Sequence, residues 1–189
     1  MLGVLNVPNA LTLLRLLAIP VFLILLSDFR YPEALGVFVA AGVTDALDGA
    51  IARLTHTKTT LGAYLDPAAD KLLLMSAFVA LAFLQEVPRW LVVIVLSRDV
   101  MVVVGYFLLF TMTQHAMEVR PSVAGKLSTF LQISAVTVVL LSLVYTGAVP
   151  PMAETSLFLV TGIVTATAGF QYVIRGLLWL QRQGNSAGP

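Results

Sequence analysis

The amino-acid sequence predicts an all-α membrane protein in which six transmembrane helices form one bundle. Hydrophobic residues make up 59% of the 189-residue chain, charged residues only 11%, and the mean hydropathy is +0.94. A soluble domain of ordinary composition carries about 25% charged residues. No Pro/Gly/Ser-rich linker divides the sequence, so we expect one domain over residues 1–182 and a flexible tail over residues 183–189.

Six apolar runs predict the six helices, because a helix needs about 20 apolar residues to cross a bilayer. The first run contains Arg15 and Pro20 but lacks the basic segment and cleavage site of a signal peptide, so it should stay in the protein as a helix. Runs two and three flank a short polar connection, which makes them antiparallel neighbours. Arg98 lies within run four, and Lys126 lies near the start of run five. The predicted spans are residues 9–27, 34–54, 61–85, 88–112, 122–147 and 154–181.

The distribution of basic residues predicts how the bundle is oriented. If the N-terminus is cytoplasmic, the outer loops hold only Arg30 and Arg89, as the positive-inside rule requires. Both termini and the connection between spans two and three are then cytoplasmic. Because the chain is compact and shows no organellar presequence, we expect the membrane to be a bacterial cytoplasmic membrane. The inner side collects Arg53, Lys58, Arg120, Lys126, Arg175 and Arg182.

Four aspartates stand out inside spans two and three. A carboxylate at the centre of a membrane helix costs roughly 2.5–3.5 kcal/mol, so four of them require cations nearby. At about 100° per residue, the polar positions of each helix share one face, and the two faces can converge. The cluster reads Asp45-x2-Asp48-Gly49-x2-Ala52-Arg53-x8-Gly62-x3-Asp66-x3-Asp70.

The residue types in this cluster predict a metal site for phosphate chemistry. Carboxylates without His or Cys suit hard cations such as Mg²⁺ or Mn²⁺, whose remaining ligands are often phosphate oxygens, and the chain has no cysteine. Arg53 can bind a phosphate with its guanidinium. Two ions would stabilise the attacking and leaving oxygens of phosphoryl transfer, and a fourth carboxylate can accept the proton of an acceptor hydroxyl.

The cluster resembles the signature of the CDP-alcohol phosphatidyltransferases, D-x2-D-G-x2-A-R-x8-G-x3-D-x3-D, and matches it at every defined position. The resemblance implies a polytopic enzyme that transfers the phosphatidyl group of CDP-diacylglycerol to a hydroxyl acceptor and releases CMP. It also implies a homodimer that works among membrane lipids, with no nucleic acid as a partner. By position, the metal ligands are Asp45, Asp48, Asp66 and Asp70, Asp70 is the general base, and the CDP pocket is formed by Gly49, Ala52, Arg53 and Gly62.

Softer resemblances indicate the acceptor. The segment 6–15 with Pro20 looks like the start of phosphatidylglycerophosphate synthases and of eukaryotic-type cardiolipin synthases. Segments 97–101 and 120–132 look more like the cardiolipin synthases, since phosphatidylglycerophosphate synthases more often have Arg-Glu where this chain has Arg98-Asp99. Phosphatidylglycerol is therefore the predicted acceptor, giving cardiolipin. The alternative is glycerol 3-phosphate, giving phosphatidylglycerophosphate, and inositol phosphate or serine is less favoured.

Several basic residues have both a functional and a structural interpretation. Arg98 and Lys126 are the candidates for binding the acceptor phosphate. Structurally, Asp99 or an acid on another helix would neutralise Arg98, and Lys126 would reach out to lipid headgroups. In the N-terminal segment, Arg15 either belongs to the family-like start of the chain or anchors the first helix at the membrane interface.

Two other classes of protein remain as alternatives. A proton or cation transporter also places carboxylates inside the membrane, but it would distribute them along a path rather than at one depth on two adjacent helices. A structural membrane protein would not need four acids in its helices. The clustering, with an arginine and small residues beside it, favours an enzyme.

Overall fold

The computed structural model describes the backbone of residues 7–55, 60–113 and 122–186. Within these ranges the secondary structure is six α-helices and no strand, which confirms the all-α prediction. Each helix corresponds to one predicted span. The helices are α1 (Val7–Ser27), α2 (Tyr31–Thr55), α3 (Thr60–Phe83), α4 (Arg89–Thr113), α5 (Val123–Val144) and α6 (Pro151–Ser186).

Two of the helices in the described ranges are long and apolar enough to cross a membrane. They are Val123–Val144, with a mean hydropathy of 2.1, and Pro151–Gln181, with a mean hydropathy of 1.7. Helix α6 has 36 residues and is therefore about 54 Å long, well beyond the roughly 30 Å of a bilayer's hydrocarbon core. Its backbone reaches Ser186, inside the segment 183–189, whose last three residues lie outside the described part.

The chain forms two compact units, and α5 contributes to both. The first unit comprises Met1–Val87 and Val136–Pro151. In it, α1 packs against both α2 and α3. Phe22 of α1 is fully buried, and its ring centroid lies 5.8 Å from that of Phe38 on α2. Helix α1 therefore holds together the two helices that carry the aspartate motif.

The second unit comprises Pro88–Ala135 and Met152–Pro189, and in it small residues let α4 and α6 approach closely. A Cβ built on Gly162 would lie 2.6 Å from the Trp90 ring, so only glycine fits there without movement. Further along the same helix pair, the Tyr172 hydroxyl donates a hydrogen bond to the Val102 carbonyl oxygen at 3.0 Å. These contacts fix how α6 packs along α4.

Tight turns end α1 and α3. Phe29 and Gln85 adopt positive φ angles of 58° and 65°, the left-handed conformation that commonly follows a helix C-terminus. After the first turn, Arg30 pairs with Glu33 in the first turn of α2 at 2.9 Å. A backbone hydrogen bond at this helix start, followed by the bond from Arg30, lowers the pKa of Glu33.

Gly162→Ala should destabilise the second unit, because the new methyl group overlaps the Trp90 ring and the ring must move. Overpacking of this kind typically costs about 1–3 kcal/mol. We expect a lower midpoint of thermal unfolding in detergent. The control is Gly36→Ala, where no described atom lies within 4 Å of the new Cβ, so helix propensity should leave the midpoint unchanged or raise it. Equal midpoints for the two variants would contradict the close packing at Gly162.

Candidate active site

The aspartate motif lies on two helices of the first unit. Asp45 and Asp48 are in the C-terminal half of α2, and Asp66 and Asp70 are in the N-terminal half of α3. The helices predicted to carry the motif are therefore present. The side chains of residues 45–68 and of Asp70 lie outside the described part, so the positions of the motif residues come from the backbone alone.

On α2, the motif positions continue the face that the helix buries. Ala34, Phe38 and Ala41 are each at most 6% exposed. At about 100° per residue, these three positions share an arc of about 100° with the motif positions of the same helix. The motif positions within that arc are Asp45, Asp48, Gly49 and Ala52.

The same relation holds on α3. Ala69, Leu73, Ala77 and Leu81 are each at most 6% exposed and define the buried face of this helix. Helical geometry puts the remaining motif positions on that face, within an arc of about 120°. They are Gly62, Asp66 and Asp70. Both halves of the motif are therefore in register with the protein interior, not with the surface exposed to surrounding lipid.

The predicted metal ligands and CDP-pocket residues stay predictions at the level of their side chains. Among the residues with described side chains, no three His, Cys, Asp or Glu side chains come together as a metal site. The four aspartates, Gly49, Ala52, Arg53 and Gly62 lie outside that set. Helical register is the structural support for their convergence.

Arg98, a predicted acceptor ligand, is held tightly inside the second unit. Its side chain is 15% exposed, and its Nη1 donates a hydrogen bond to Asp99. Its stem lies 3.5 Å from the position that a Cβ of Gly169 would occupy, and its Nη2 lies 3.3 Å from that of Gly125. The two glycines thus make room for a bulky cation between α5 and α6. Its Nε has no hydrogen-bond partner within the described residues.

Lys126, the second predicted acceptor ligand, follows Gly125 in the first turn of α5 and is exposed. Ser122 caps this helix: its hydroxyl accepts a hydrogen bond from the Gly125 N–H at 3.0 Å, and its carbonyl accepts one from the Lys126 N–H. The structure therefore brings the guanidinium of Arg98 to the residue that precedes Lys126. A helix N-terminus beside a guanidinium is an electropositive location.

Sequence reasoning missed a buried polar layer in the second unit. Gln132 of α5 and Thr165 of α6 are fully buried, and the Gln132 amide donates a hydrogen bond to the Thr165 hydroxyl at 3.1 Å. Ser128 and Thr161, one turn before each of them, are also fully buried. Periodicity offered no signal for this layer, because single polar residues in an apolar span do not reveal which helix they face.

The structure encloses Arg15. The sequence left open whether this residue belongs to the family-like N-terminal segment or anchors α1 at the membrane interface, and an exposure of only 3% within the first unit does not fit an exposed anchor. Helix α1 packs against α2 and α3, which encloses this position. A span-by-span reading of hydropathy could not distinguish an arginine at the interface from one enclosed by neighbouring helices.

Comparison with known proteins assigns the family. The model of one family, CDP-alcohol phosphatidyltransferase, matches residues 5–174, which include every residue of the aspartate motif and both predicted acceptor ligands. The chain belongs to the CDP-alcohol phosphatidyltransferase family. Its activity is therefore the transfer of a phosphoalcohol group from a CDP-alcohol to a hydroxyl acceptor. Together with its two long apolar helices, this lipid-synthesis relationship indicates an association with membranes.

Individual relatives are named for two different activities within the family. A probable phosphatidylglycerophosphate synthase of Mycobacterium tuberculosis (strain ATCC 25618 / H37Rv) is 35% identical over 181 residues, covering 91% of this chain and 82% of that protein. A CDP-diacylglycerol–glycerol-3-phosphate 3-phosphatidyltransferase of Bacillus subtilis (strain 168) is 33% identical over 183 residues, covering 88% and 93%. A cardiolipin synthase (CMP-forming) of Streptomyces coelicolor is 41% identical over 107 residues, covering 53% and 50%.

Asp99→Asn should destabilise the second unit, because it removes the carboxylate that neutralises a largely buried guanidinium. Leaving a buried charge poorly compensated costs about 1–3 kcal/mol at a partly exposed pair such as this one. We expect a clear drop in the midpoint of thermal unfolding in detergent. Ser97→Ala, at an exposed neighbouring position, is the control and should unfold like the unmodified chain. An unchanged midpoint for Asp99→Asn would show that another group neutralises Arg98.

Proposed function

We propose that the chain transfers the phosphatidyl group of CDP-diacylglycerol to a hydroxyl of phosphatidylglycerol, forming cardiolipin and releasing CMP. The main support for this reaction is the complete aspartate motif, whose positions share the buried faces of α2 and α3. The acceptor is supported by the Arg98-Asp99 pair and by the higher local identity, 41% over 107 residues, to a cardiolipin synthase.

The four carboxylates fit two divalent metal ions. Asp45, Asp48, Asp66 and Asp70 supply only carboxylate oxygens, which is the chemistry that Mg²⁺ or Mn²⁺ prefers. On helices that cross a membrane, four carboxylates need compensating positive charge, and this need supports metal dependence. Bound divalent ions would neutralise charge on the pyrophosphate of the donor and on the leaving CMP.

The remaining motif residues have roles consistent with their size and charge. Gly49, Ala52 and Gly62 leave space for the CDP group, and Arg53 can bind its phosphates. Asp70 accepts the proton of the acceptor hydroxyl. That oxygen then attacks the phosphorus that carries diacylglycerol, the bond from this phosphorus to the CMP oxygen breaks, and CMP leaves with the electron pair.

Arg98 and Lys126 are the proposed ligands of the acceptor phosphate. What supports this role is the enclosed position of Arg98 beside the N-terminal turn of α5, with one guanidinium nitrogen unpartnered within the described residues. A guanidinium and backbone N–H groups at a helix N-terminus are both suited to a phosphate oxygen. Phosphatidylglycerol and glycerol 3-phosphate each place a hydroxyl near such a phosphate.

Glycerol 3-phosphate is the second candidate acceptor. The observation in its favour is the identity over nearly the whole chain, which is 33–35% for relatives named for that acceptor or its product and 30% for a probable cardiolipin synthase. With this acceptor the product would be phosphatidylglycerophosphate. The chemistry at the donor is the same in both cases, so the two candidates differ only in the acceptor pocket.

The wider arrangement of the enzyme is part of the proposal. All six helices cross the membrane, the motif faces the cytoplasm, and the membrane is a bacterial cytoplasmic membrane. The six apolar spans support this arrangement, and so does the excess of basic residues in the loops on one side of the membrane. The active protein is a homodimer, as the family resemblance implies.

Asp70→Asn should abolish turnover, because an amide cannot accept the acceptor's proton, and a general base contributes about 10²–10⁴-fold to rate. Binding of CDP-diacylglycerol should be largely retained. The measurements are CMP release and equilibrium binding of the donor in detergent, with Leu72→Ala, at an exposed neighbouring position, as the control. Loss of donor binding would instead make Asp70 an essential metal ligand.

Purified protein in detergent should release CMP from CDP-diacylglycerol in the presence of Mg²⁺ or Mn²⁺, and a chelator should stop the release. Phosphatidylglycerol, glycerol 3-phosphate, inositol phosphate and serine are compared as acceptors, and mass spectrometry identifies the lipid product. We expect a lipid product only when phosphatidylglycerol is the acceptor, and we expect that product to be cardiolipin. Phosphatidylglycerophosphate with glycerol 3-phosphate alone would establish the second candidate, and no metal-dependent release with any acceptor would contradict the proposed reaction.

A further inference from the structure

A groove enclosing about 300 Å³ lies between α1 and α2 in the first unit. The helices run antiparallel along it, so that Leu14 and Thr44 line one end and Val21 and Val37 line the other. Seven residues of helix separate the two ends, which makes the groove about 10 Å long. Its volume is at the lower limit of small-molecule sites.

The walls of the groove are suited to hydrocarbon. Apart from Arg15 and Thr44, every side chain that lines it is apolar. The Thr44 hydroxyl hydrogen-bonds to the carbonyl oxygens of Ala40 and Ala41, both at 2.9 Å, so its proton is used within its own helix. Arg15 is 3% exposed and presents little of its surface. A polar ligand would lose its hydrogen bonds to water on entering such a groove, whereas an alkyl chain would lose none.

The direction of the groove matches the direction of a lipid substrate. Thr44 directly precedes Asp45, so one end of the groove adjoins the aspartate motif along α2. From there the groove runs towards Val37, away from the connection between α2 and α3. A lipid whose phosphates lie at the motif would extend its acyl chains from the phosphates in this same direction. The groove therefore continues from the motif on the side where hydrocarbon is required.

We propose that this groove binds one acyl chain of CDP-diacylglycerol, with the glycerol end at Leu14 and Thr44 and the chain running towards Val21 and Val37. The inference rests on the proposed function. It names the donor because CDP-diacylglycerol is the donor in both candidate reactions. Ala18 and Ala40 line the groove from opposite helices, and their small side chains leave the space the chain occupies. They determine which acyl chains the enzyme accepts.

The expected effect of blocking the groove depends on the environment that the acyl chain leaves when it binds. An acyl chain leaves one hydrocarbon environment, the bilayer or micelle, and enters another, so little hydrophobic free energy is gained on binding. The groove instead selects chains by fit and aligns the donor at the motif. Filling it should raise the KM for long-chain donors and leave donors with very short chains unaffected.

Photocrosslinking maps the chain directly and requires no turnover. Two CDP-diacylglycerol analogues carry a diazirine in one acyl chain, either near the carboxyl end or near the terminal methyl, and mass spectrometry locates the label. We expect the first to label the protein near Leu14 and Thr44 and the second near Val21 and Val37. Excess CDP-dioleoylglycerol should reduce labelling at least fivefold, and phosphatidylglycerol should not. Labelling elsewhere, the reverse order, or equal competition by phosphatidylglycerol would overturn the proposal.

Ala40→Phe provides the matched test by substitution. Ala40 is exposed and lines the groove, whereas the adjacent Val39 is 44% exposed and does not line it. Ala40→Phe should lower labelling of the groove at least fivefold and raise the ratio of the KM for CDP-dioleoylglycerol to the KM for CDP-dibutanoylglycerol about fivefold. Val39→Phe should alter none of these values. Equal effects of the two variants would overturn the proposal.

Labelling and CMP release together separate this inference from the proposed reaction. Labelling of the groove by the donor without CMP release would support the binding site and contradict the reaction. CMP release by the unmodified chain without labelling of the groove would leave the reaction standing and overturn the acyl-chain site.

Discussion

Carboxylates in an apolar helix carry an energetic cost, and the packing of this protein answers it. Four aspartates lie within two apolar spans, and each one that faced hydrocarbon at the centre of the membrane would cost roughly 2.5–3.5 kcal/mol of free energy. On both α2 and α3 the motif positions share the face that the described residues bury. Helix α1, which packs against both helices, contributes to the interior that these faces adjoin. Helical register therefore directs the motif positions towards the interior rather than towards lipid.

The second unit meets a related constraint with paired polar groups and glycines. Arg98 is compensated by Asp99 and packed against Gly125 and Gly169, while Gln132 is bonded to Thr165. Polar contacts between helices in a membrane contribute about 0.6–2 kcal/mol each, so they specify which helix faces meet more than they stabilise the unit. Gly162 matters most, because the indole ring of Trp90 fits between the helices only where the opposite residue has no side chain.

The motif and the acyl-chain groove suit the two ends of one lipid substrate. The reacting phosphates need charge and oxygen ligands, whereas the chains need an apolar path that leads away from them. Along α2 this change occurs between Asp45 and Thr44, where the motif ends and the alanine- and valine-lined groove begins. A membrane enzyme that places these environments next to each other on one helix can bind a lipid substrate without removing its chains from hydrocarbon.

The all-α class, the order and approximate ends of the six helices, and the enzyme family follow from the amino-acid sequence alone. Hydropathy over about 20 residues and spacing along a single helix are local properties, and the aspartate motif is a pattern of fixed spacing. Only the tertiary structure decided that Arg15 is enclosed, that Gly125 and Gly169 flank Arg98, and that a groove lies between α1 and α2. Each of these features joins residues on different helices, and sequence periodicity shows which residues share a face but not which face of another helix they meet.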